Sequence, residues 1–534
     1  MNIIVRKTIF IIISLIVGLL TGCGLPSSSD SDDFAASKKL GPTIGSLAKI
    51  SVQEEIPVSG FGLVGGLHGT GSSECPPQIK TYLTQHYLRQ LSTDSTLEVE
   101  KFIESMDTAV VLVEGVIPRM ASKGQVFDLR VTALPGTQTT SLKDGRLFVT
   151  ELKLPGTFGR TTKVLALAEG PIYVDGVDSK QMNENAGFVL AGGATLDEYK
   201  VILELPSPDY TITSDIRNFL NGRFGDQTAK AVIPGRIELS IPQKYRDRKD
   251  RFIDIIRATY IGWTPAITEL RIQTFIDRLT SSPDKYASEV ALEAIGRECL
   301  SGLKNLLDSS NEEIRLRAAR CMVHIGSDEG LKTLKQIALD PGSSYRIEAI
   351  NAIASAHGRK DASLILRELL EDGSFDIRFV AYEQLLKLNH SSVVREPIAK
   401  DFYLDSVSQA ELKTIYVSRS GRPRVVLFGA PIYCGSNIFI QSAGGDVTIN
   451  STTGQEYVTI IRKHPKRPNV TAQLRCSFDL RDIIRTLCEE PLREDGQDVG
   501  LGVSYSDMVA LLKLMCDKGA IDAEFKAGPL PKIG

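Results

Sequence analysis

The densest cluster of chemically suggestive residues in this 534-residue chain is SGFGLVGGLHGTG, Ser59 to Gly71. Gly60, Gly62 and Gly65 stand at the G-x-G-x-x-G spacing of a dinucleotide-binding turn. In such a turn the glycines let the backbone approach a pyrophosphate seated on the N-terminus of the following helix. Here the run continues through Gly66, Gly69 and Gly71 into SSECPPQ, and Pro76 and Pro77 oppose a helix springing straight from the third glycine. The run contains no lysine, which removes a Walker loop as well. The six glycines therefore predict a close-packed loop that glycine permits, and no nucleotide or other cofactor.

Other chemistries find no firmer footing. The six histidines, His68, His86, His324, His357, His390 and His464, are dispersed without H-x-x-x-H or H-E-x-x-H spacing, and no G-x-S-x-G elbow offers a nucleophile. The paired acids Glu54–Glu55 and Glu489–Glu490 are sequence neighbours, which strand and helix geometry point in different directions. Eight cysteines, at positions 23, 75, 299, 321, 434, 476, 488 and 516, include no C-x-x-C pair, so a zinc ribbon or thioredoxin site is not expected. A net charge of -3 gives no global case for nucleic acid. The basic segments KYRDRKDR and RKHPKRP read as exposed charge, with an anionic envelope polymer or a neighbouring subunit as the other reading. The expectation is a protein that is not an enzyme, with no catalytic residue and no metal.

The elements that would hold such residues change character along the chain. Arg6 and Lys7 precede an apolar run from Thr8 to Leu20 and then LTGC, a signal peptide too short to span a membrane comfortably. The small residues before Cys23 resemble the lipobox of bacterial lipoproteins, which implies cleavage before Cys23 and acylation of its sulfur and new amine. Gly24 after the cysteine, by resemblance to enterobacterial sorting signals, favours the outer membrane. Seven cysteines then remain for an oxidising periplasm, their pairing unreadable from sequence. PSSSDSDDFAAS follows as a tether.

From about Ile44 to Thr264, period-two alternations such as GQVFDLRVTALPG and GRLFVTELKLPG predict β-rich structure. Two helical intervals interrupt them: PQIKTYLTQHYLRQL, and TSDIRNFLNGRFG, where Thr213 or Ser214 caps and Gly222 weakens the end. From Pro265 to Pro397 the period becomes helical. Arg315, Arg346 and Arg378 recur in EEIRLRAARCMVHIG, YRIEAINAIASAHG and FDIRFVAYEQLLKL, the signature of a solenoid of helix pairs. It resembles HEAT-like repeats, with EVALEAIG and LSGLKNLLD as an earlier, shorter unit. The recurrent arginine reads first as a packing or capping residue and second as a partner contact. Such repeats also accompany phycobilin lyase activity, but no pigment-specific constellation stands here. β-like runs return after the solenoid, and the chain finishes on a capped helix with an apolar stripe, Met508, Leu511, Leu512 and Met515, then the strand-like AIDAEF.

GFGLVGGLHGTG, GVIPRMASKGQVFDLRVTALPGTQTTSLKDGRLFVTELK, KVLALAEGPIYVDG, PDYTITSDIRNFLNGRF, IELSIPQKYRDR and MVALLKLMCDKGAIDAEF stand in the order of corresponding segments of the bacterial flagellar P-ring protein family. The resemblance is strong over about 50–262, clear over 500–526 and weaker over 420–500. It implies a periplasmic structural subunit that assembles with copies of itself around the distal flagellar rod, with the L ring as neighbour and no cofactor or active site. The lipobox and the solenoid depart from the family pattern. The repeats would add an elongated surface outside the original core, widening the ring, gripping a further protein partner, or serving a nonflagellar, lipid-anchored envelope scaffold.

The expected organisation is α+β, with β-rich P-ring-like portions interrupted by an α-solenoid of HEAT-like helix pairs. Its segments are a signal peptide at 1–22, a tether at 23–45, an N-terminal domain at 46–264, the repeats at 265–397 and a C-terminal domain at 398–534. The expected location is the periplasm and basal body, anchored through Cys23 to the inner leaflet of the outer membrane.

Overall fold

The computed structural model describes residues 39–90, 98–157, 162–177, 183–464, 467–491, 493–494, 497–498 and 500–533. Along the chain, α1 (Ile44–Leu47) and β1 (Lys49–Ser51) precede β2 (Ile56–Gly65), α2 (Pro77–Gln90), α3 (Val99–Ile103), β3 (Thr108–Ile117), β4 (Val126–Ala133), β5 (Arg146–Leu152), β6 (Ala166–Pro171) and β7 (Ala186–Thr195). Next come β8 (Val201–Glu204), α4 (Tyr210–Phe224), β9 (Ala229–Ile233), β10 (Arg236–Leu239) and α5 (Lys249–Ala258). The helical stretch holds α6 (Pro265–Ser281), α7 (Lys285–Ile295), α8 (Leu300–Lys304), α9 (Glu312–Ile325), α10 (Leu331–Leu339), α11 (Arg346–Ile353), α12 (Arg359–Glu368) and α13 (Phe375–Lys387). The last part contains β11 (Val394–Ile398), β12 (Phe402–Val407), β13 (Thr414–Val417), β14 (Arg424–Phe428), β15 (Ile438–Gln441), β16 (Val447–Ser451), β17 (Val458–His464), β18 (Arg467–Cys476), α14 (Leu480–Cys488), β19 (Arg493–Glu494), β20 (Gln497–Asp498), α15 (Tyr505–Asp517) and β21 (Glu524–Ala527). The fold is α+β.

These elements gather into two compact units. One joins the described residues up to Ser51 to Ile202–Ile325; the other joins Val52–Val201 to Gly326–Gly534. The helical repeats are thus divided between the units after Ile325.

In the first unit, β1, β8, β10 and β9 form a sheet in that order. Asp209 caps α4, accepting from Thr211 N at 2.7 Å and Ile212 N at 3.0 Å, and Gly225, at φ 107°, ends it. The cap thus lies upstream of the expected Thr213 or Ser214, because Thr213 is buried and spends its hydroxyl on Gly235 N at 3.0 Å. The helix also runs through Gly222, whose missing side chain would have met only open space. Amphipathic α5 buries Phe252, Ile253, Ile255 and Ile256. A further core draws Leu279, Leu292, Cys299, Leu303, Cys321 and Met322 from the helices. Leu40 and Ile44 are buried too, so packing reaches back into the stretch expected to be tether.

In the second unit, β2, β3, β4, β7, β6 and β5 close into a barrel. Inward Phe127, Leu129, Val131 and Ala133 alternate with more exposed neighbours along β4, as the period-two pattern predicts. Curvature comes from irregularities in register: between Leu147 and Thr150 of β5 against β6, and between Phe127 and Leu129 of β4 against β7. Helices α2 and α3 pack Ile79, Leu83, Val99 and Ile103 against Leu63 and Val110 on the barrel.

The C-terminal part of this unit holds a five-stranded sheet, β11-β12-β14-β13-β21, and a four-stranded sheet, β15-β16-β17-β18. Their core continues through α14 and α15 and takes in Tyr173 and Leu190 of the barrel region. The last repeat helix lies outside this core and packs on the β13 and β14 residues that alternate with those facing it. Phe379 of α13 lies 4.4 Å from the Tyr416 ring centroid, and Tyr382 lies 5.6 Å from that of Phe428. Tyr382 Oη donates to the fully buried Asp405, which Arg395 grips through Nε and Nη2 at 2.7 Å each. The repeat region is therefore not free-standing at α13: its aromatic face covers a sheet.

Candidate functional site

The opening glycines sit on the barrel seam. β2 pairs with β3 along its whole length, from Ile56↔Ile117 to Gly65↔Thr108. On its other side it meets β5 at Val64↔Leu147 and Gly65↔Arg146, then again at Ser59↔Lys153, where Ser59 N donates to Lys153 O at 2.8 Å and Lys153 N to Ser59 O at 3.0 Å. Between these points β5 carries one residue more than β2, and it crosses very close. A Cβ on Gly60 would stand 2.3 Å from Glu151 O, one on Gly62 2.4 Å from Thr150 Oγ1, and one on Gly65 2.6 Å from the Phe148 ring. Gly71 is pressed likewise against Thr108 O, at 2.1 Å. Gly66 and Gly69 serve differently, holding φ at 81° and 96° in the connection to α2. The expected loop is thus a strand for Gly60, Gly62 and Gly65, and the following helix starts at Pro77, beyond a connection at 66–76.

The barrel is fastened to the C-terminal part of its unit by polar contacts between residues remote in sequence. Asp128 Oδ1 accepts from Ala191 N at 2.7 Å, and its Oδ2 accepts from Gly421 N at 2.8 Å. Arg419 Nη1 pairs with Asp175 Oδ2 at 3.3 Å while its Nε donates to Gly528 O at 2.7 Å. Val174 N donates to Ser506 Oγ at 3.2 Å, and Lys143 Nζ meets Asp507 at 2.8 Å. Burial, then the nearby Asp144 carboxylate, push the Asp507 carboxyl up. A cavity of about 310 Å³ lies here, lined by residues including His68, Arg146, Asp401, Arg462 and Tyr505. His68 at φ 52°, Asp144 at φ 60° and Ala399 at φ 49° border it in left-handed conformations.

The first unit contains a buried ionic cluster that the sequence reading missed. Glu289 and Glu293 lie one turn apart on α7 and are 0% and 2% exposed. Glu289 receives Arg251 Nη2 at 2.7 Å, Arg317 Nη1 at 3.0 Å, Arg320 Nε at 2.7 Å and Arg320 Nη2 at 2.6 Å. Glu293 Oε2 accepts from Arg251 Nε at 3.0 Å and from His324 Nδ1 at 3.1 Å. Arg248 faces His324 Nε2 and has no lone pair to offer, so Nε2 accepts, Nδ1 carries the proton and the ring is neutral. Burial holds His324 below the usual histidine range against the pull of Glu293. Burial raises the Glu293 carboxyl, but the His324 hydrogen bond and the Arg251 guanidinium outweigh it and hold it well below the carboxylate range. Glu289 is lowered in the same way, its burial outweighed by Arg251 and Arg320. The cluster clamps α5, α7 and α9 together. Its sequence signal was two acids at i, i+4 inside the apolar SEVALEAI, matched by Arg317, Arg320 and His324 on one helix.

The repeat-register arginines are spent on the chain's own backbone. Arg315 Nη1 donates to Ser309 O at 2.7 Å and Ser310 O at 3.1 Å. Arg378 Nη1 repeats the pattern on Asp372 O at 2.8 Å and Gly373 O at 3.0 Å, and its Nη2 adds Thr414 Oγ1 at 3.0 Å. Arg346 differs: its Nε donates to Ala338 O at 2.8 Å in the last turn of α10, and its Nη2 pairs with Asp372. Each fixes the turn or helix end that precedes its own helix.

Cys23 lies outside the described residues, so the lipid site has no structural description. The other seven cysteines are unbridged in the structure. Among the described residues no group of three or more His, Cys, Asp or Glu is placed to hold a metal ion, and no helix is long and apolar enough to cross a membrane.

Residues 43–266 match the family model described as flagellar P-ring protein, and residues 272–354 match HEAT repeats. The chain is similar to the flagellar P-ring protein of Anaeromyxobacter dehalogenans (strain 2CP-C), 31% identical over 216 residues, covering 38% of this chain and 55% of the relative. The flagellar P-ring protein of Thermotoga maritima is 28% identical over 212 residues, 37% of this chain and 60% of the relative. The match thus spans little more than half the length of these relatives. Among solved structures, the complex of CpcE and CpcF of phycocyanin lyase from Nostoc sp. PCC7120 is 23% identical and covers 23% of this chain and 79% of that one, with a TM-score of 0.21. A likeness that low carries no argument.

Proposed function

We propose that the chain is a structural subunit of a flagellar P ring, or of a P-ring-like periplasmic ring around the distal rod, and that it supports flagellum-dependent motility. The match of residues 43–266 to the P-ring family carries the reading, and relatives bearing that name from distant bacteria support it. The work is mechanical: copies join through repeated heterologous contacts that close around the rod as a passive bushing, without turnover, cofactor or nucleic acid. A closed barrel suits that work, since a sheet closed on itself leaves no open edge for stray pairing. The rod and L-ring proteins are the further partners, and the HEAT repeats offer a surface for one more. Acyl chains on Cys23 would tether the subunit to the inner leaflet of the outer membrane, each buried methylene adding about 0.8 kcal/mol.

Purified basal bodies decide the matter. The chain is expected in the ring fraction, and its absence there in a flagellated source would sink the assignment in favour of a nonflagellar envelope scaffold. Mass spectrometry of the mature N-terminus tests the tether separately, because an unmodified Cys23 would refute it.

A further inference from the structure

The first unit holds two thiols in one place. Cys299, in the turn between α7 and α8, and Cys321, on α9, are both fully buried in the same apolar core. Cys299 Sγ lies 3.3 Å from Leu292 O and 3.0 Å from Gly296 O, while Cys321 Sγ lies 3.7 Å from Glu289 O. Glu289 and Leu292 are three residues apart on α7, about 4.5 Å along its axis, so one stripe of that helix receives both sulfurs. Burial, and after it the neighbouring Cys299 thiol, push the Cys321 thiol up. The two cysteines are also close in sequence.

We propose that Cys299 and Cys321 form a disulfide when the chain folds in an oxidising compartment. The compartment rests on the periplasmic reading above; the choice of partners rests on the geometry alone. The bond must form before the core closes, because burial raises the Cys321 thiol far above the range in which it ionises and so removes the attacking thiolate from the folded protein. During folding, one thiolate attacks the disulfide of an oxidant, a thiol–disulfide oxidoreductase or oxidised glutathione, and releases one thiol of it. The second cysteine then attacks the resulting mixed disulfide at the protein sulfur and releases the other. Two protein thiols lose two protons and two electrons, which the oxidant's disulfide gains as two thiols. The product would tie the turn after α7 to α9, two elements already joined through the ionic cluster, shortening the excursions of the unfolded chain.

Two experiments test the pairing. The denatured, reduced full chain is refolded in a glutathione redox buffer and mapped by non-reducing peptide mass spectrometry; protein taken from the cell envelope after acid quenching and thiol blocking is mapped in parallel. A peptide linking Cys299 to Cys321 is expected in both. Free thiols at both positions in both samples would overturn the pairing. Linkage on refolding with free thiols in the cell-derived protein would instead overturn the oxidising location and leave the pairing standing. Dithiothreitol is expected to lower the melting temperature of the oxidised wild type by several degrees and to leave a C299A/C321A variant unmoved; an equal response of the two would count against a bond that supports the fold.

Discussion

At the residue scale, the glycines of the seam differ in what they tolerate, because the atoms facing them differ in how far they can move. A methyl at Gly60 meets a backbone carbonyl at 2.3 Å, and relief requires β2 and β5 to part. A methyl at Gly65 meets the rim of Phe148, a partly exposed side chain that yields more readily than a backbone carbonyl although Phe102 and Tyr87 pack against it. Gly69 has open space around it and pays only for its left-handed backbone. Gly60→Ala should therefore cost about 3 kcal/mol, the upper end for overpacking, and Gly69→Ala about 1 kcal/mol, with Gly65→Ala closer to the latter in urea titrations. An equal cost at all three would mean that the seam is not the constraint. The ionic cluster gives a pH signature. His324 is held below its unfolded value of about 6.5, so the unfolded chain takes up a proton there first and stability falls as the pH drops below about 6.5. Glu289 and Glu293 are lowered, so their contribution is complete above the unfolded carboxylate value and disappears as pH falls through their folded values. Melting temperatures measured from pH 8 to 4 should begin to decline near pH 6.5 in the wild type, and His324→Gln should flatten that first decline while leaving the later one.

At the scale of elements, α13 is the test. Phe375, Phe379 and Tyr382 turn toward Tyr416 and Phe428 on the sheet, and β11 follows as the edge strand pairing with β12. Phe379→Ala, at a half-buried ring, should cost about 3 kcal/mol, the low end for a deleted aromatic. Excising 265–397 should give insoluble protein, since the cut removes α13 and most of β11 together; a soluble, well-folded remnant by circular dichroism would show that the sheet needs neither. This is also where the sequence is partly silent. Helical period marked α9, α11 and α13, and alternation marked β4, because each pattern records which side chains face a core. What an apolar stripe faces is not written in its period, so α13 read as one more repeat, which it is against α11 and α12, while the sheet it also covers went unread. The β5 irregularity was equally unreadable, since an extra residue in a strand is defined only by the strand beside it. The acid pair on α7 was legible as an anomaly, two carboxylates in an apolar helix, but its five cationic or imidazole neighbours, Arg248, Arg251, Arg317, Arg320 and His324, come from two other segments.

At the scale of the whole molecule, two compact units predict more than one unfolding event. Differential scanning calorimetry should resolve two transitions. Glu289→Gln, which strips the counter-charge from Arg251, Arg317 and Arg320 and should cost about 3–5 kcal/mol, is expected to move only one of them. Phe379→Ala should move only the other; a single transition shifted by both would merge the units. The second unit is discontinuous along the chain, and its halves are far apart: Val174 and Ser506 meet across 332 positions, Asp128 and Gly421 across 293. Loop closure over such distances adds little free energy, about 0.6 kcal/mol for each doubling of length. Time is the larger quantity. At roughly 5–20 residues per second of synthesis, about 15–65 s separate the appearance of Val174 from that of Ser506. Throughout that interval Tyr173 and Leu190 wait for a core that has not yet been made. A barrel finished early and covered late is an invitation to proteases and to its own neighbours, so the order of the segments makes the newborn chain dependent on whatever shields it until its last helix arrives.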